Sequence, residues 1–260
     1  SSSPNQNPCI PGTYQPLSGE SSCLIAEPGF FVNTTAAISQ ISCNAGTYNP
    51  WSGADESTDC LLADMGYYVP LPASTSQLSC TAGTYSATLG QIICDYADTG
   101  HYVADENATS QEPCEIGYWQ SQLGQISCEI ADPGFYVDSP ASNHQTPCTV
   151  GYYNSNSGSI SSFDCIAADP GHSVAISGSS FQTPCVAGTY QPAGGNSECI
   201  DAALGYHVPL SGATGQIGCS MGSFQDQLAG TECFEATPGH YVDSHFASSQ
   251  KACPQGTYNP

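Results

Sequence analysis

The chain has 260 residues, 23 of them Asp or Glu against one lysine (Lys251) and no arginine, for a formal charge of -22. Phosphate binding relies on Lys and Arg to displace counterions, so this balance excludes nucleic acid and anionic membrane surfaces as partners. Fifteen cysteines in a Gly- and Pro-rich acidic chain indicate an oxidising compartment, extracellular or at a cell surface, and no apolar run approaches the roughly 20 residues of a membrane helix.

Residues 1–8 read as a linker or as the end of a preceding unit, with no basic leader before an apolar stretch, so any secretion signal is expected outside this sequence. From Cys9 onward the cysteines set a rhythm. They stand at Cys9, Cys23, Cys43, Cys60, Cys80, Cys94, Cys114, Cys128, Cys148, Cys165, Cys185, Cys199, Cys219, Cys233 and Cys253. The gap from Cys23 to Cys43 and its counterparts is always 20 residues, while the gap from Cys9 to Cys23 and its counterparts is 14 or 17. This is a tandem array with units of 34 or 37 residues, and three units repeat every 105 residues. The repeats fall at 9–42, 43–79, 80–113, 114–147, 148–184, 185–218 and 219–252, and 253–260 begin another.

Each unit divides again. Its first half opens Cys-x-x-Gly-x-aromatic, as Cys9, Gly12 and Tyr14 do, and its second half opens Ala-x-x-Gly-x-aromatic, as Ala26, Gly29 and Phe31 do. Fourteen residues after that alanine stands a glutamine, in the pairs Ala26/Gln40, Ala63/Gln77, Ala97/Gln111, Ala131/Gln145, Ala168/Gln182, Ala202/Gln216 and Ala236/Gln250. The building block is therefore 17 residues long, carrying Cys/Cys and Ala/Gln alternately at equivalent places. If the block folds as a unit its ends are joined. Cys9 then pairs with Cys23, Cys43 with Cys60, Cys80 with Cys94, Cys114 with Cys128, Cys148 with Cys165, Cys185 with Cys199 and Cys219 with Cys233. Cys253 is left unpaired, the array being expected to continue beyond it. The alternative scheme bridges the 20-residue gap, Cys23 to Cys43. In the other blocks the glutamine is expected to bond backbone groups where a disulfide would sit.

Glu27-Pro28-Gly29, Asp132-Pro133-Gly134, Asp169-Pro170-Gly171 and Thr237-Pro238-Gly239 read as type II turns, Pro presetting the first central residue and Gly supplying the positive φ of the second. Phe30-Phe31-Val32 and Tyr67-Tyr68-Val69 after such turns read as short strands. Gly and Pro leave no stretch with a helical apolar stripe. The expected fold is all-β, small and disulfide-rich: an elongated, rod-like tandem array of turn-and-hairpin modules with almost no helix. Blocks this short cannot enclose a core, so the aromatic at each Gly-x-aromatic slot is expected to be the main apolar filler between modules.

Cys-x-x-Gly-Thr-Tyr…Gly…Cys, as at Cys9 to Cys23 and Cys185 to Cys199, resembles the ephrin-receptor-like cysteine-rich repeat and the one-disulfide module of tumour-necrosis-factor-receptor ectodomains. The pattern also looks like repeats in large secreted or surface proteins of aquatic microbes. The likeness covers nearly the whole chain and implies an extracellular repeat fold. Receptor-type repeats usually have cysteine where this chain has Ala26, Ala63 and Ala97.

Sites for chemistry are sparse. There is no Cys-x-x-Cys, His-Glu-x-x-His, Gly-x-Ser-x-Gly or Gly-rich loop ending in Lys, so neither an enzyme, a cofactor nor a metal site is expected. His101, His172 and His240 share one slot and His207 sits one further on. A metal row is the sharp reading, but Phe30, Tyr67, Phe135 and Tyr206 fill that slot elsewhere, so a packing ring is expected. Glu27, Asp64, Asp98, Asp132 and Asp169 recur in register, and Asp55, Glu56 and Asp59 cluster. They suit Ca²⁺, but Ala203 and Thr237 replace the acid elsewhere, so an Asx-type turn is expected. Asn33 (Asn-Thr-Thr) and Asn107 (Asn-Ala-Thr) are N-glycosylation sequons in stretches expected to be exposed. These features suggest a non-enzymatic structural protein, self-associating and carrying glycans, in a surface fibre, filament or stalk, with a lateral partner at every third unit. The alternative is a ligand-binding receptor or adhesin ectodomain, for which Trp51 and Trp119 are candidate contacts.

Overall fold

The computed structural model describes residues 7–257. The outer parts of the leading linker and of the final partial repeat, 1–6 and 258–260, lie outside the described residues. Each module begins with a turn. In the block that starts at Ala26, Phe30 N–H donates to the Glu27 carbonyl over 3.0 Å, and Gly29 between them has φ +86°, as a type II turn requires. Phe30–Phe31 then pairs antiparallel with Ile41–Ser42 in the register Phe30↔Ser42 and Phe31↔Ile41. The hairpin closes where Cys43 N–H donates to the Gly29 carbonyl over 2.8 Å.

The described residues form 14 such hairpins, each from two consecutive two-residue strands. Among the described residues helix is confined to two 3₁₀ turns, Ser57–Asp59 and Ser162–Asp164. They lie in the two 17-residue disulfide loops, closed by Cys43–Cys60 and Cys148–Cys165, so the three extra residues are accommodated as one tight turn. Asp59 caps its turn by accepting from the Asp55 and Glu56 N–H groups at 3.0 and 3.1 Å. Asp164 accepts likewise from Ile160 and Ser161.

Two-residue strands are too short to stand alone, and neighbouring modules supply the missing bonds. Three backbone hydrogen bonds recur from each module to the next. In the first step Gly12 N–H donates to Val32 O, Gln15 N–H to Ala37 O and Ala36 N–H to Cys9 O, at 2.8 to 3.0 Å. The same three positions are linked at every later step through Gly222–Val242, Gln225–Ala247 and Phe246–Cys219. A further contact skips one module. The loop-tip residue of each hairpin has positive φ whether it is glycine or, as at Ala36, Ala73, Asn107, Ala141, Ala229 and Phe246, not, and its carbonyl lies over the turn glycine two modules earlier. A Cβ on Gly29 would fall on the Ala73 carbonyl, and one on Gly66 on that of Asn107.

The buried layer is made of small groups. The opening residue of each module (Ala26, Cys43, Ala63, Cys80 and so on) is almost wholly buried through Cys219. So is the residue after the aromatic, which is Val32, Val69, Val103, Val137, Val174 and Val208 in alanine modules. The aromatic rings are mostly half-buried. Tyr206 and Phe246, with centroids 5.2 Å apart, are the one stacked pair among the described residues, and Phe224–Phe234 lies within a single hairpin. The expectation that rings are the main filler is thus corrected: the close approach set by inter-module backbone bonds leaves room for Ala, Val and sulfur, and pushes rings to the flanks.

The described residues group into two units. The first runs to Glu115 and takes in Trp119–Glu129 and Pro140–Asn143; the second comprises Ile116–Tyr118, Ile130–Ser139 and the chain from His144 onward. Among the described residues no helix is long and apolar enough to cross a membrane.

Candidate functional site

The chemistry of this chain is concentrated where each hairpin is closed. In cysteine modules the closure is covalent, joining Cys9 to Cys23, Cys43 to Cys60, Cys80 to Cys94, Cys114 to Cys128, Cys148 to Cys165, Cys185 to Cys199 and Cys219 to Cys233, with Cα separations of 5.6 to 5.8 Å. Cys253 is free and half-buried.

In alanine modules a two-point amide clip takes the same place. Gln77 Oε1 accepts from the Asp64 N–H at 2.7 Å while its Nε2 donates to Asp64 Oδ2 at 2.7 Å. Gln40 with Glu27, Gln111 with Asp98, Gln145 with Asp132 and Gln182 with Asp169 repeat both bonds. Where the acid is replaced, Gln216 keeps only the Ala203 N–H, and Gln250 accepts from the N–H and hydroxyl of Thr237. The recurrent carboxylates are therefore partners of glutamine, which corrects the Asx-turn expectation. The reason is distance along the hairpin: the glutamine lies directly across from the acid once the strands pair.

A second set of amides escaped the sequence reading. The buried position filled by valine in alanine modules is Asn49, Ser86, Gln120, Asn154, Gln191 or Gln225 in cysteine modules. Gln120 Nε2 donates to the Ser127 carbonyl and its Oε1 accepts from Gln122 N–H. Gln191 and Gln225 make the equivalent pair. In the 17-residue loops the shorter Asn49 and Asn154 donate instead to the Phe30 and Phe135 carbonyls of the preceding module. A buried amide is tolerated because both its ends are bonded. The signal was present in the alternation of valine and amide after each aromatic.

The histidines do not converge. His101 Nδ1 lies 3.2 Å from Thr99 O, His172 Nδ1 3.4 Å from Pro170 O, and His240 contacts Thr237 and Pro238 of its own turn. Among the described residues the one grouping of three metal-type ligands is His207 with Cys219 and Cys233. Its two sulfurs are spent in a disulfide, and His207 Nδ1 rests 3.1 Å from Cys233 Sγ. Both sequon asparagines are exposed, Asn33 just beyond buried Val32 and Asn107 at a loop tip with φ +58°. Trp51 is 59% exposed and its backbone N–H donates to Asn49 Oδ1; Trp119 has a buried Nε1 without a partner.

Burial, then the charges of Asp98 and Asp95, push the Tyr85 hydroxyl up. Hydrogen bonding with Lys251 holds Asp243 down, and the same bond raises Lys251.

No protein-family model matches the chain, and no curated protein matches it in sequence. Its disulfide-rich tandem hairpins are consistent with an extracellular structural or receptor-like protein, and seven disulfides fit an oxidising, extracellular setting.

Proposed function

We propose that this chain is a non-enzymatic structural segment of an extracellular protein, whose stacked modules set the length of a surface fibre, filament or stalk. The observation that carries this reading is the set of three backbone bonds repeated from each module to the next. Adding a module adds the same bonds, so reach grows with repeat number while stability stays a sum of local terms. The covalent clips keep each module shut against local opening. With Lys251 as the one Lys or Arg in the chain, trypsin-like proteases have a single cleavage site. The likeness to ephrin-receptor-like and tumour-necrosis-factor-receptor modules supports the same compartment. Self-association of such segments and N-glycans on exposed Asn33 and Asn107 belong to this reading. Small-angle X-ray scattering on the chain and on its tandem duplicate tests it. The maximum dimension should nearly double; a compact duplicate would overturn the reading.

A second reading, a receptor or adhesin ectodomain, is favoured by Phe163. This ring is 95% exposed in the Ser162–Asp164 turn, at the place Thr58 occupies in the matching loop. Rigidly held exposed rings are common anchors of protein contacts.

A further inference from the structure

Along the first unit, the residue that ends each cysteine module is large and apolar. Ile25, Leu62 and Tyr96 are 60, 53 and 63% exposed. Each side chain lies beside the loop-tip glycine of the next cysteine module: Ile25 at Gly53, Leu62 at Gly90 and Tyr96 at Gly124. Two residues on, past a buried alanine, stands the carboxylate of the amide clip: Glu27, Asp64 or Asp98. The first unit thus presents an apolar rung and an adjacent carboxylate three times at one register. Within the second unit Ile130 still lies beside a loop-tip glycine, Gly158, but the equivalent positions that follow are Ala167, Asp201 and Glu235, and there the large apolar rung is lost.

At Tyr96 the row opens into a groove of about 280 Å³ lined by Tyr68, Thr84, Ile92, Ile93 and Tyr96. Asp95 pairs across its hairpin with Tyr85, and Asp95 and Asp98 are both close enough to raise the Tyr85 hydroxyl. A wall of rings and aliphatic carbon, with Asp98 two residues along the chain from Tyr96, suits a long cationic side chain, whose stem packs on apolar surface while its head meets a ring face. The chain supplies no such group. Its first 115 residues hold 12 carboxylates and no Lys or Arg, and Lys251 is bonded to Asp243. A second copy of this acidic chain would meet the row with like charge, so the complement must be basic.

We propose that the row Ile25–Glu27, Leu62–Asp64 and Tyr96–Asp98 is a docking surface for a partner-protein segment in which Lys or Arg alternates with apolar residues, and that the groove at Tyr96 takes one of its cationic side chains. This does not depend on the fibre reading. The test is fluorescence anisotropy of a labelled peptide of alternating lysine and valine at about 0.15 M salt, beside Lys/Ser and Glu/Val peptides of equal length. The Lys/Val peptide should bind saturably. Tyr96→Ser and Asp98→Asn should each weaken it about five-fold or more, roughly 1 kcal/mol. Asn at 98 still offers an acceptor to Gln111. Leu210→Ser, at a 73% exposed site in the second unit, should change nothing. Equal binding of the Lys/Ser peptide would mark mere polyanion attraction, and equal binding of the Glu/Val peptide mere stickiness. Either outcome, no binding, or an unchanged affinity in a folded, fully disulfide-bonded Tyr96→Ser variant would overturn the proposal.

Discussion

Two neighbouring modules of the first unit, those starting at Ala63 and at Cys80, do the same job with different parts. Both open with a turn glycine of positive φ, Gly66 and Gly83, and both pair two-residue strands. Both make the same three backbone bonds to the module that follows. They differ at two places. Ala63 and Gln77 stand where Cys80 and Cys94 form a disulfide, and buried Val69 stands where buried Ser86 donates to the Thr88 carbonyl. The lesson is that stacking dictates the hairpin and the closure is an exchangeable part. A covalent clip accompanies a polar group inside the loop; a hydrogen-bonded clip on the surface accompanies an apolar one inside.

Removing the covalent clips should break the comparison most. Each closed loop of 14 to 17 residues contributes about 3 kcal/mol in the chain-entropy estimate. Full reduction of all seven is therefore expected to unfold the chain at room temperature. Guanidinium titration with and without reductant, followed by circular dichroism, checks this. A cooperative transition surviving reduction would mean that stacking and the amide clips of the alanine modules suffice without any covalent closure.

Next in size is a test of the stack. Gly29 and Gly19 have φ of +86° and +84°, so alanine at either is strained by about 1–2 kcal/mol. At Gly29 the new Cβ also collides with the Ala73 carbonyl, whereas at Gly19 nothing lies within 4 Å. Overpacking adds about 1–3 kcal/mol. Gly29→Ala should therefore lower stability by about 2 kcal/mol more than Gly19→Ala in matched denaturant titrations, and equal losses would show that the skip contact carries no weight.

Exchange of the closures sharpens the comparison further. Ala63→Cys with Gln77→Cys places thiols at the two positions that Cys80 and Cys94 occupy one module on, and an eighth disulfide should form on air oxidation. The gain should be about 2 kcal/mol, the loop-closure term less about 1 kcal/mol for the lost clip. Gln77→Ala alone should cost about 1 kcal/mol. Mass spectrometry of peptic fragments shows whether the bridge forms, and thermal unfolding reads the balance.

The period, the hairpin per block and the near absence of helix were legible because cysteine, turn glycine and glutamine recur at fixed offsets whose physical meaning is local. What lay inside was not. With strands of two residues there is no alternation long enough to tell a buried face from an exposed one. Tyr14 and Tyr48 therefore looked like filler, while nothing marked Asn49 as buried. An amide such as Gln120 is understandable as buried only once the Ser127 carbonyl is seen to face it. The left-handed loop tips were masked in the same way, since Ala73 and Phe246 adopt a conformation that glycine advertises at Gly53 and Gly90. The carboxylates misled for a different reason. Asp64 next to a turn suggests a local bond, and its true partner, Gln77, is 13 residues away.

The smallest expected effect lies where neither kind of closure is involved. Lys251 Nζ bonds both oxygens of Asp243 at 2.8 and 3.0 Å, but the two groups are exposed, and such pairs contribute little. The hydrogen bond with Lys251 lowers the Asp243 pKa, so its contribution is present above the ordinary carboxylate range and fades as pH falls through the depressed value. The bond to Asp243 raises Lys251, so on the alkaline side the contribution fades as pH rises through the elevated value. Between about pH 5 and 9 it should be constant. Lys251→Ala is accordingly expected to shift Tm by about 1 °C or less, evenly across that window, and to leave the chain uncut by trypsin. A larger shift, or one that varies between those limits, would mean that the last hairpin depends on its ion pair rather than on its Thr237–Gln250 clip.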